Sequence, residues 1–279
     1  MIIHSEKWHA CGNDFILLTH DLAGGEELSK LAVAICRPHE GVGADGIVAF
    51  DAISVETGCR IFNLDGSEAE ISGNGIRCLA GFLKRNLPGE GIFRIRSKAG
   101  LRTLHFLNEE CGALRFRADM GEPSFAPSSL PANIDQPEAL PHKLQISGRT
   151  IDMNLVSVGN PHCVVFVTDL NSEDWSRLGA LLEQHPLFPR RTNVEFVRPT
   201  DPHTVEVRMW ERGVGRTSSS GTGSCAAAVV SVKTGRVQSP VTVRTEKGEL
   251  SVAWRPGERI FLDGPAIPVW AGEFFWSDE

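Results

Sequence analysis

The sequence predicts an α+β fold built as two pseudo-symmetric domains. Each is an antiparallel-rich sheet curled around one central helix, with a site in the cleft between them. Three observations predict it. Strand-like alternation outnumbers helical periodicity, and one principal helix falls in each half. The tetrapeptide Ser72-Gly73-Asn74-Gly75 recurs as Ser220-Gly221-Thr222-Gly223, 148 positions later (220 minus 72), and each copy opens an apolar-periodic segment. A proline- and serine-rich stretch, Gly121 to Pro141, reads as the linker into the second half. The domains so defined are 1–120, with 265–279 packing back on it, and 121–264.

In order, residues 2–8 and Phe15 to Leu18 read as strands joined by the turn-rich loop Cys11-Gly12-Asn13-Asp14. Leu28 to Cys36 has helical periodicity and stops before Pro38. Ile47 to Phe50 and Arg60 to Asn63 are short strands, the second feeding a polar loop that delivers Ser72. Ile76, Leu79, Ala80 and Leu83 then fall at helical spacing. Residues 92–97, 101–107 and 112–119 read as antiparallel strands. In the second half, Gln145 to Ser157 is a hairpin turning at Gly148 and Cys163 to Val167 a strand. Asp174 to Gln184 is a helix and Asn193 to Val197 a strand. Val205, Val207 and Met209 alternate as a central strand, and Ala226 to Val230 suit a buried helix. Strands at 240–244, 249–254 and 259–262 finish that half. Val269 to Trp276 is apolar and aromatic, and is expected to pack on the first half.

At 279 residues the chain has room for two cores. Its net charge of -7 argues against a nucleic-acid surface. No apolar run approaches the roughly 20 residues of a membrane span, and the first residues lack a signal-peptide pattern. Seven cysteines with no framework spacing read as reduced thiols of a cytoplasmic protein. There is no Cys-Xaa-Xaa-Cys and no His-Glu-Xaa-Xaa-His, so no metal signature.

Small residues at both repeated tetrapeptides let a ligand approach the backbone. The N–H groups and dipole of a helix start there face an anion such as a carboxylate or phosphate. The plainer alternative makes each serine only a helix cap. Asn13, Asn63, Asn160 and Asn193 lie at strand–loop junctions, where side-chain amides hold an amine and a carboxylate together; otherwise they are turn residues. Arg212 suits a bidentate carboxylate clamp, or a structural ion pair. His162, in a loop after Pro161, either polarises a neighbouring acid or base or is a satisfied turn histidine.

With these residues in hand, the chain resembles the diaminopimelate epimerase family through nearly its whole length. The resemblance rests on His9-Ala10-Cys11-Gly12-Asn13-Asp14-Phe15, Gly41 to Gly46, Asn63 to Glu70 and Gly73-Asn74-Gly75-Ile76-Arg77-Cys78. It continues through Gly159-Asn160-Pro161-His162-Cys163, Asn193-Val194-Glu195-Phe196, Glu211 to Gly215 and Gly221-Thr222-Gly223. It implies a cofactor-independent enzyme that inverts one α-carbon of LL-diaminopimelate in bacterial lysine and cell-wall biosynthesis. Dimers are common in the family, which implies a homodimer. Its mechanism uses two cysteines on opposite faces of the α-carbon; the matching positions here hold Ser72 and Ser220. A serine hydroxyl is a far weaker acid than a thiol and needs a strong neighbouring base. The resemblance implies His162 toward Ser72 and Glu211 toward Ser220. It implies the backbone of Asn74-Gly75 and Gly221-Thr222 for the reacting carboxylate, where it also stabilises carbanion-like charge. Asn13, Asn63, Asn160, Asn193 and Arg212 would hold the distal end. Arg216 stands where the family usually has glutamate, beside an unusual Ser218-Ser219. Cys78 and Cys225 read as small buried groups in the two helices. Two alternatives stay open: a racemase or dehydratase of another amino acid, and a diaminopimelate-binding homologue or inactivated variant without the acids.

Overall fold

The computed structural model describes residues 1–20, 24–133, 140–171 and 174–277. The chain divides into two compact units, Met1–Asp119 with Asp263–Glu279, and Met120–Leu262.

In the first unit, β1 (Ile2–Ala10) and β2 (Asn13–Thr19) form a hairpin. Its turn is only Cys11-Gly12, both at positive φ (51° and 78°), the conformation that short hairpin connections favour. Asn13 and Asp14, expected in the loop, already pair with Ala10 and His9. Next come α1 (Gly25–Ile35), β3 (Gly46–Phe50), β4 (Glu56–Asn63), β5 (Glu68–Ala69) and α2 (Gly73–Asn86). The antiparallel run β6 (Ile92–Ser97), β7 (Gly100–Glu110) and β8 (Ala113–Gly121) follows. β2 and β3 are parallel, β3 and β4 antiparallel, and β4 and β6 parallel. α2 buries Ile76, Leu79, Ala80 and Leu83, the i, i+3, i+4, i+7 stripe of a core-facing helix. It packs against β1, β2 and β3 and, from the other side of the order, β6 and β7, so the sheet wraps it. α1 covers the outer face through Leu28, Leu31, Ala32 and Ile35 against Ile16, Leu18, Ile47 and Phe62.

The second unit starts earlier than a linker at Gly121–Pro141 would allow. Ser124 and Ser157 exchange backbone hydrogen bonds of 2.9 and 2.8 Å, and Pro127–Ser129 forms one 3-10 turn. Leu130 is buried with Met153, Leu155, Phe188 and Phe196, and Phe125 packs on Trp254. Proline and serine gave this stretch a linker's composition, but two apolar anchors fix it to the core. Residues 134–139 of it lie outside the described residues. β9 (His142–Ile146) and β10 (Arg149–Ser157) turn at Ser147-Gly148. Then come β11 (Pro161–Phe166), α3 (Asp174–Glu183), β12 (Asn193–Asp201), β13 (Thr204–Glu211) and the short β14 (Gly215–Thr217). α4 (Gly221–Lys233), β15 (Val241–Thr245) and β16 (Gly248–Ala253) complete the series. α4 is buried almost all round, as its alanines and valines suggest, and packs against β10 to β13, β15 and β16.

The last strand, β17 (Ile260–Phe275), is one 16-residue element where two separate segments were expected. Its two prolines hid its length. Pro268 is accommodated where the pairing with β1 slips: Trp8 faces Pro268 while Lys7 faces Trp270, leaving Val269 bulged.

The two units are copies. The series β1-β2-α1-β3-β4-β5-α2-β6-β7 repeats as β10-β11-α3-β12-β13-β14-α4-β15-β16. The pairing alternates antiparallel, parallel, antiparallel, parallel, antiparallel in both. This pseudo-symmetry makes the shared tetrapeptide a structural equivalence, with Ser72 and Ser220 each preceding the central helix of its unit. No helix among the described residues is long and apolar enough to cross a membrane.

Candidate active site

The alternation of strand directions decides where the polar residues collect. β2 and β3 run parallel and β4 runs against them, so the starts of β2 and β3 share an edge with the end of β4. Asn13 starts β2, Asp45 precedes β3 and Asn63 ends β4. In the second unit Asn160 precedes β11, Asn193 starts β12 and Glu211 ends β13.

In the first unit Ser72 is extended (φ -129°, ψ 118°) and its Oγ accepts Gly75 N–H at 3.0 Å, capping α2. Asn74 is buried. Its Oδ1 accepts from the Arg77 guanidinium, and its Nδ2 donates to Asn13 Oδ1 at 3.0 Å. Asn13 Nδ2 donates in turn to Asp45 Oδ2 at 2.7 Å. Asp45 and Asp14 cross-brace the two loops through backbone N–H bonds of 2.9 and 3.0 Å, and Lys7 Nζ lies 2.7 Å from Asp14. Burial pushes the Asp45 carboxyl up, against the pull of the Asn13 bond. Asn63 donates to Ser67 Oγ at 2.9 Å inside a turn closed by Asp65, whose carboxyl Ser67 holds below its ordinary range.

In the second unit Ser220 repeats the cap: its Oγ accepts Gly223 N–H at 3.3 Å and lies 3.5 Å from Thr222 Oγ1. Gly223 is closely packed: a Cβ there would sit 3.0 Å from Glu195 Oε1 and 3.3 Å from Met209 Sδ. Glu211 accepts the Thr217 hydroxyl at 2.8 Å. Burial raises its carboxyl, while Thr217 and Ser220 pull it back. His162 is buried, with Nδ1 2.7 Å from Glu195 Oε1 and Nε2 2.8 Å from Asn160 Oδ1. Both ring nitrogens are thus taken up inside the second unit. Asn193 Nδ2 donates to Pro161 O at 2.9 Å and its Oδ1 accepts Arg212 N–H at 3.0 Å. The Arg212 side chain is exposed, and among the described residues no hydrogen bond or ion pair engages its guanidinium.

Three acids were missed in sequence. Glu195 braces His162. Glu183, at the end of α3, accepts Trp210 Nε1–H and Gly213 N–H at 2.8 Å each. Asp45 holds Asn13. The signal for Glu195 was a charged residue inside the apolar run Val194–Val197, in a strand buried on both faces. Arg216 turns outward: it pairs with Glu246 at 2.7 Å and lies over the Trp175 ring.

Each unit therefore presents a capped helix start with backbone donors beside it, amides at the adjoining strand ends and, in the second unit, the Glu211 carboxyl at the end of β13. Chemically, such an arrangement on a duplicated α+β fold is able to hold a carboxylate and pass a proton. Solved structures share the fold. One is a hydroxyproline epimerase from Agrobacterium vitis (TM-score 0.69, 16% identity, 98% of this chain and 92% of that one). Another is a phenazine biosynthesis protein of the PhzF family from Bacillus anthracis (TM-score 0.69, 16% identity, 99% and 100%). The chain belongs to the diaminopimelate epimerase family, whose model matches residues 6–126 and 154–269. Among its relatives, diaminopimelate epimerase of Pelotomaculum thermopropionicum is 41% identical over 276 residues, covering 98% of this chain and 99% of the relative. That of Synechococcus elongatus is 39% identical over 277 residues, covering 98% of each.

Proposed function

We propose that this chain is a diaminopimelate epimerase, interconverting the LL and meso forms by cofactor-independent transfer of the α-proton, in lysine and peptidoglycan biosynthesis. One observation carries the reading beyond family membership: the Glu211 carboxyl, raised by burial, is drawn back by the hydroxyls of Thr217 and of Ser220, which opens α4. In this reading Glu211 takes the Ser220 proton and the Ser220 alkoxide takes the α-proton. The carbanion then takes its proton from the Ser72 hydroxyl, and exchange with solvent reprotonates the Ser72 alkoxide and deprotonates Glu211 before the next turnover. The N–H groups of Gly75 and Gly223 stabilise each alkoxide in its turn. The backbone of Asn74-Gly75 and Gly221-Thr222 receives the α-carboxylate. Asn13, Asn63, Asn160, Asn193 and Arg212 receive the distal amino-acid end. A cytoplasmic homodimer goes with the same reading.

A second reading, a diaminopimelate-binding homologue without turnover, draws on one fact: both hydroxyls already serve as helix caps. Incubation with LL-diaminopimelate in deuterated water separates the two. Deuterium at the α-carbon with meso product supports the epimerase. Calorimetric binding with no exchange supports the second reading, and absence of binding removes both.

A further inference from the structure

Side chains of the second unit form an ordered series of hydrogen bonds, from Glu195 through His162, Asn160 and Thr222 to Ser220. Counting donors fixes its direction. Asn160 Nδ2 faces Thr222 Oγ1 at 3.5 Å, so the atom facing His162 Nε2 is Oδ1. A carbonyl oxygen only accepts, so Nε2 carries hydrogen. Glu195 Oε1 lies 2.7 Å from Nδ1, a distance that requires a proton on that line. Two arrangements fit: an imidazolium beside a carboxylate, or a neutral imidazole beside a carboxylic acid.

Glu195 Oε2 decides. It is buried, and no donor among the described residues reaches it. An ionised carboxylate in the interior needs donors on both oxygens. The other groups facing Glu195 agree. β11 brings His162 and the neutral Cys163 thiol, α4 brings uncharged Gly223, and β13 brings Glu211. Two interacting carboxyls do not ionise together readily. Glu211 has the Thr217 and Ser220 hydroxyls to hold its charge, whereas Glu195 has only the shared proton.

We propose that Glu195 is a positioning residue, held as the carboxylic acid, which locks His162 in its neutral Nε2–H form and thereby orients Asn160, Thr222 and Ser220 toward Glu211. Burial raises the Glu195 carboxyl, in keeping with this. Asn160 donates to Thr222, which frees the Thr222 hydroxyl to donate to Ser220 Oγ. With Gly223 N–H on the same oxygen, the hydrogen of Ser220 turns to Glu211, and each bond polarises the next. Only the consequence for turnover rests on the epimerase reading; the tautomer does not.

The test is nitrogen NMR of the full chain labelled at histidine, with His162 assigned by its loss in His162→Gln. The expected spectrum shows an unprotonated Nδ1 and a protonated Nε2. In Glu195→Gln the amide donates the same hydrogen, so the tautomer stays. In Glu195→Met the ring loses its fixed tautomer, and both nitrogens take an averaged signal. Where exchange activity is present, Glu195→Met should fall about tenfold in kcat below Glu195→Gln with KM little changed, the worth of one lost hydrogen bond. An imidazolium in the unmodified chain, or a switch to Nδ1–H in Glu195→Gln, overturns the proposal. An unchanged His162 signal in folded Glu195→Met does so too, since it would leave Glu195 only a packing role. If Glu195→Met does not fold, the first two spectra decide. A chain without turnover but with the expected tautomer defeats the epimerase reading and leaves this one standing.

Discussion

The Asn193 side chain accepts Arg212 N–H at 3.0 Å through Oδ1 and donates to Pro161 O at 2.9 Å through Nδ2. One buried amide thereby ties the start of β11 and the turn after β13 to the start of β12. Asn193→Ala strands an N–H and a carbonyl together, and a buried polar group left unpaired costs about 1–3 kcal/mol. Denaturant unfolding should show a lower midpoint at unchanged m-value. A midpoint within error of the unmodified chain would mean that water replaces both bonds.

Arg212 presents the opposite case. Its backbone is held, but its exposed guanidinium has no partner among the described residues. Arg212→Ala should leave stability within about 0.5 kcal/mol. It should weaken diaminopimelate binding by about 1.5–3 kcal/mol, the worth of a charge-assisted hydrogen bond. Calorimetry paired with thermal unfolding checks both halves, and unchanged affinity would remove Arg212 from the substrate site.

Glu183 supports that turn from below. Glu183→Ala leaves the indole N–H of Trp210 and the backbone N–H of Gly213 without their acceptor, so the loss should reach at least about 2 kcal/mol. The turn should loosen as well, raising KM more than it lowers kcat. A variant equally stable but altered in KM would show that Glu183 shapes the turn without stabilising the fold.

The contrast between Asn193 and Glu183 shows what the sequence discloses. Asn193 sits at a strand start, where turn chemistry and the family motif both mark it. Glu183 ends a helix, and its partners lie 27 and 30 residues away, so only the tertiary fold joins them. Local signals mark the two helix starts because a serine cap and small residues leave a pattern within four positions. β17 was split in two because its prolines read as breaks; the bulge that tolerates Pro268 depends on β1, at the other end of the chain. The acids that orient the site act through side chains whose placement no local spacing encodes.

Glu195 also makes a pH prediction whose sign follows from proton counting. Its folded carboxyl is raised, chiefly by burial, so the folded chain keeps a proton that the unfolded chain releases in the ordinary carboxylate range. The folded state then binds more protons, and stability falls as pH rises through that range toward the raised value, levelling beyond it. Glu195→Gln removes this contribution. Unfolding free energies measured across pH should show the unmodified chain losing ground to Glu195→Gln as pH rises. The raised Asp45 carboxyl contributes to both proteins and cancels from the difference. Ground gained by the unmodified chain would mean that Glu195 is ionised in the fold.

The two hydroxyls set acidity against capping. Ser72 and Ser220 accept Gly75 and Gly223 N–H at 3.0 and 3.3 Å. Cysteine at both positions weakens these caps, and losing a serine cap costs about 0.5–2 kcal/mol at each helix. The same helix starts lower a thiol's pKa, and thiolate is far easier to form than alkoxide. The doubly substituted chain, Ser72→Cys with Ser220→Cys, should be less stable yet faster. Its α-proton exchange into deuterated water should rise by about 10² or more, the scale of a competent acid–base group. Both effects are measured on one preparation, exchange by NMR and stability by denaturant. If the variant binds diaminopimelate but stays inert, the site lacks more than its acids, and the binding reading replaces the epimerase. If the serine chain already matches the cysteine variant in rate, Glu211 and the donors around Ser220 supply the missing acidity. Glu211→Gln should then abolish exchange while leaving diaminopimelate bound.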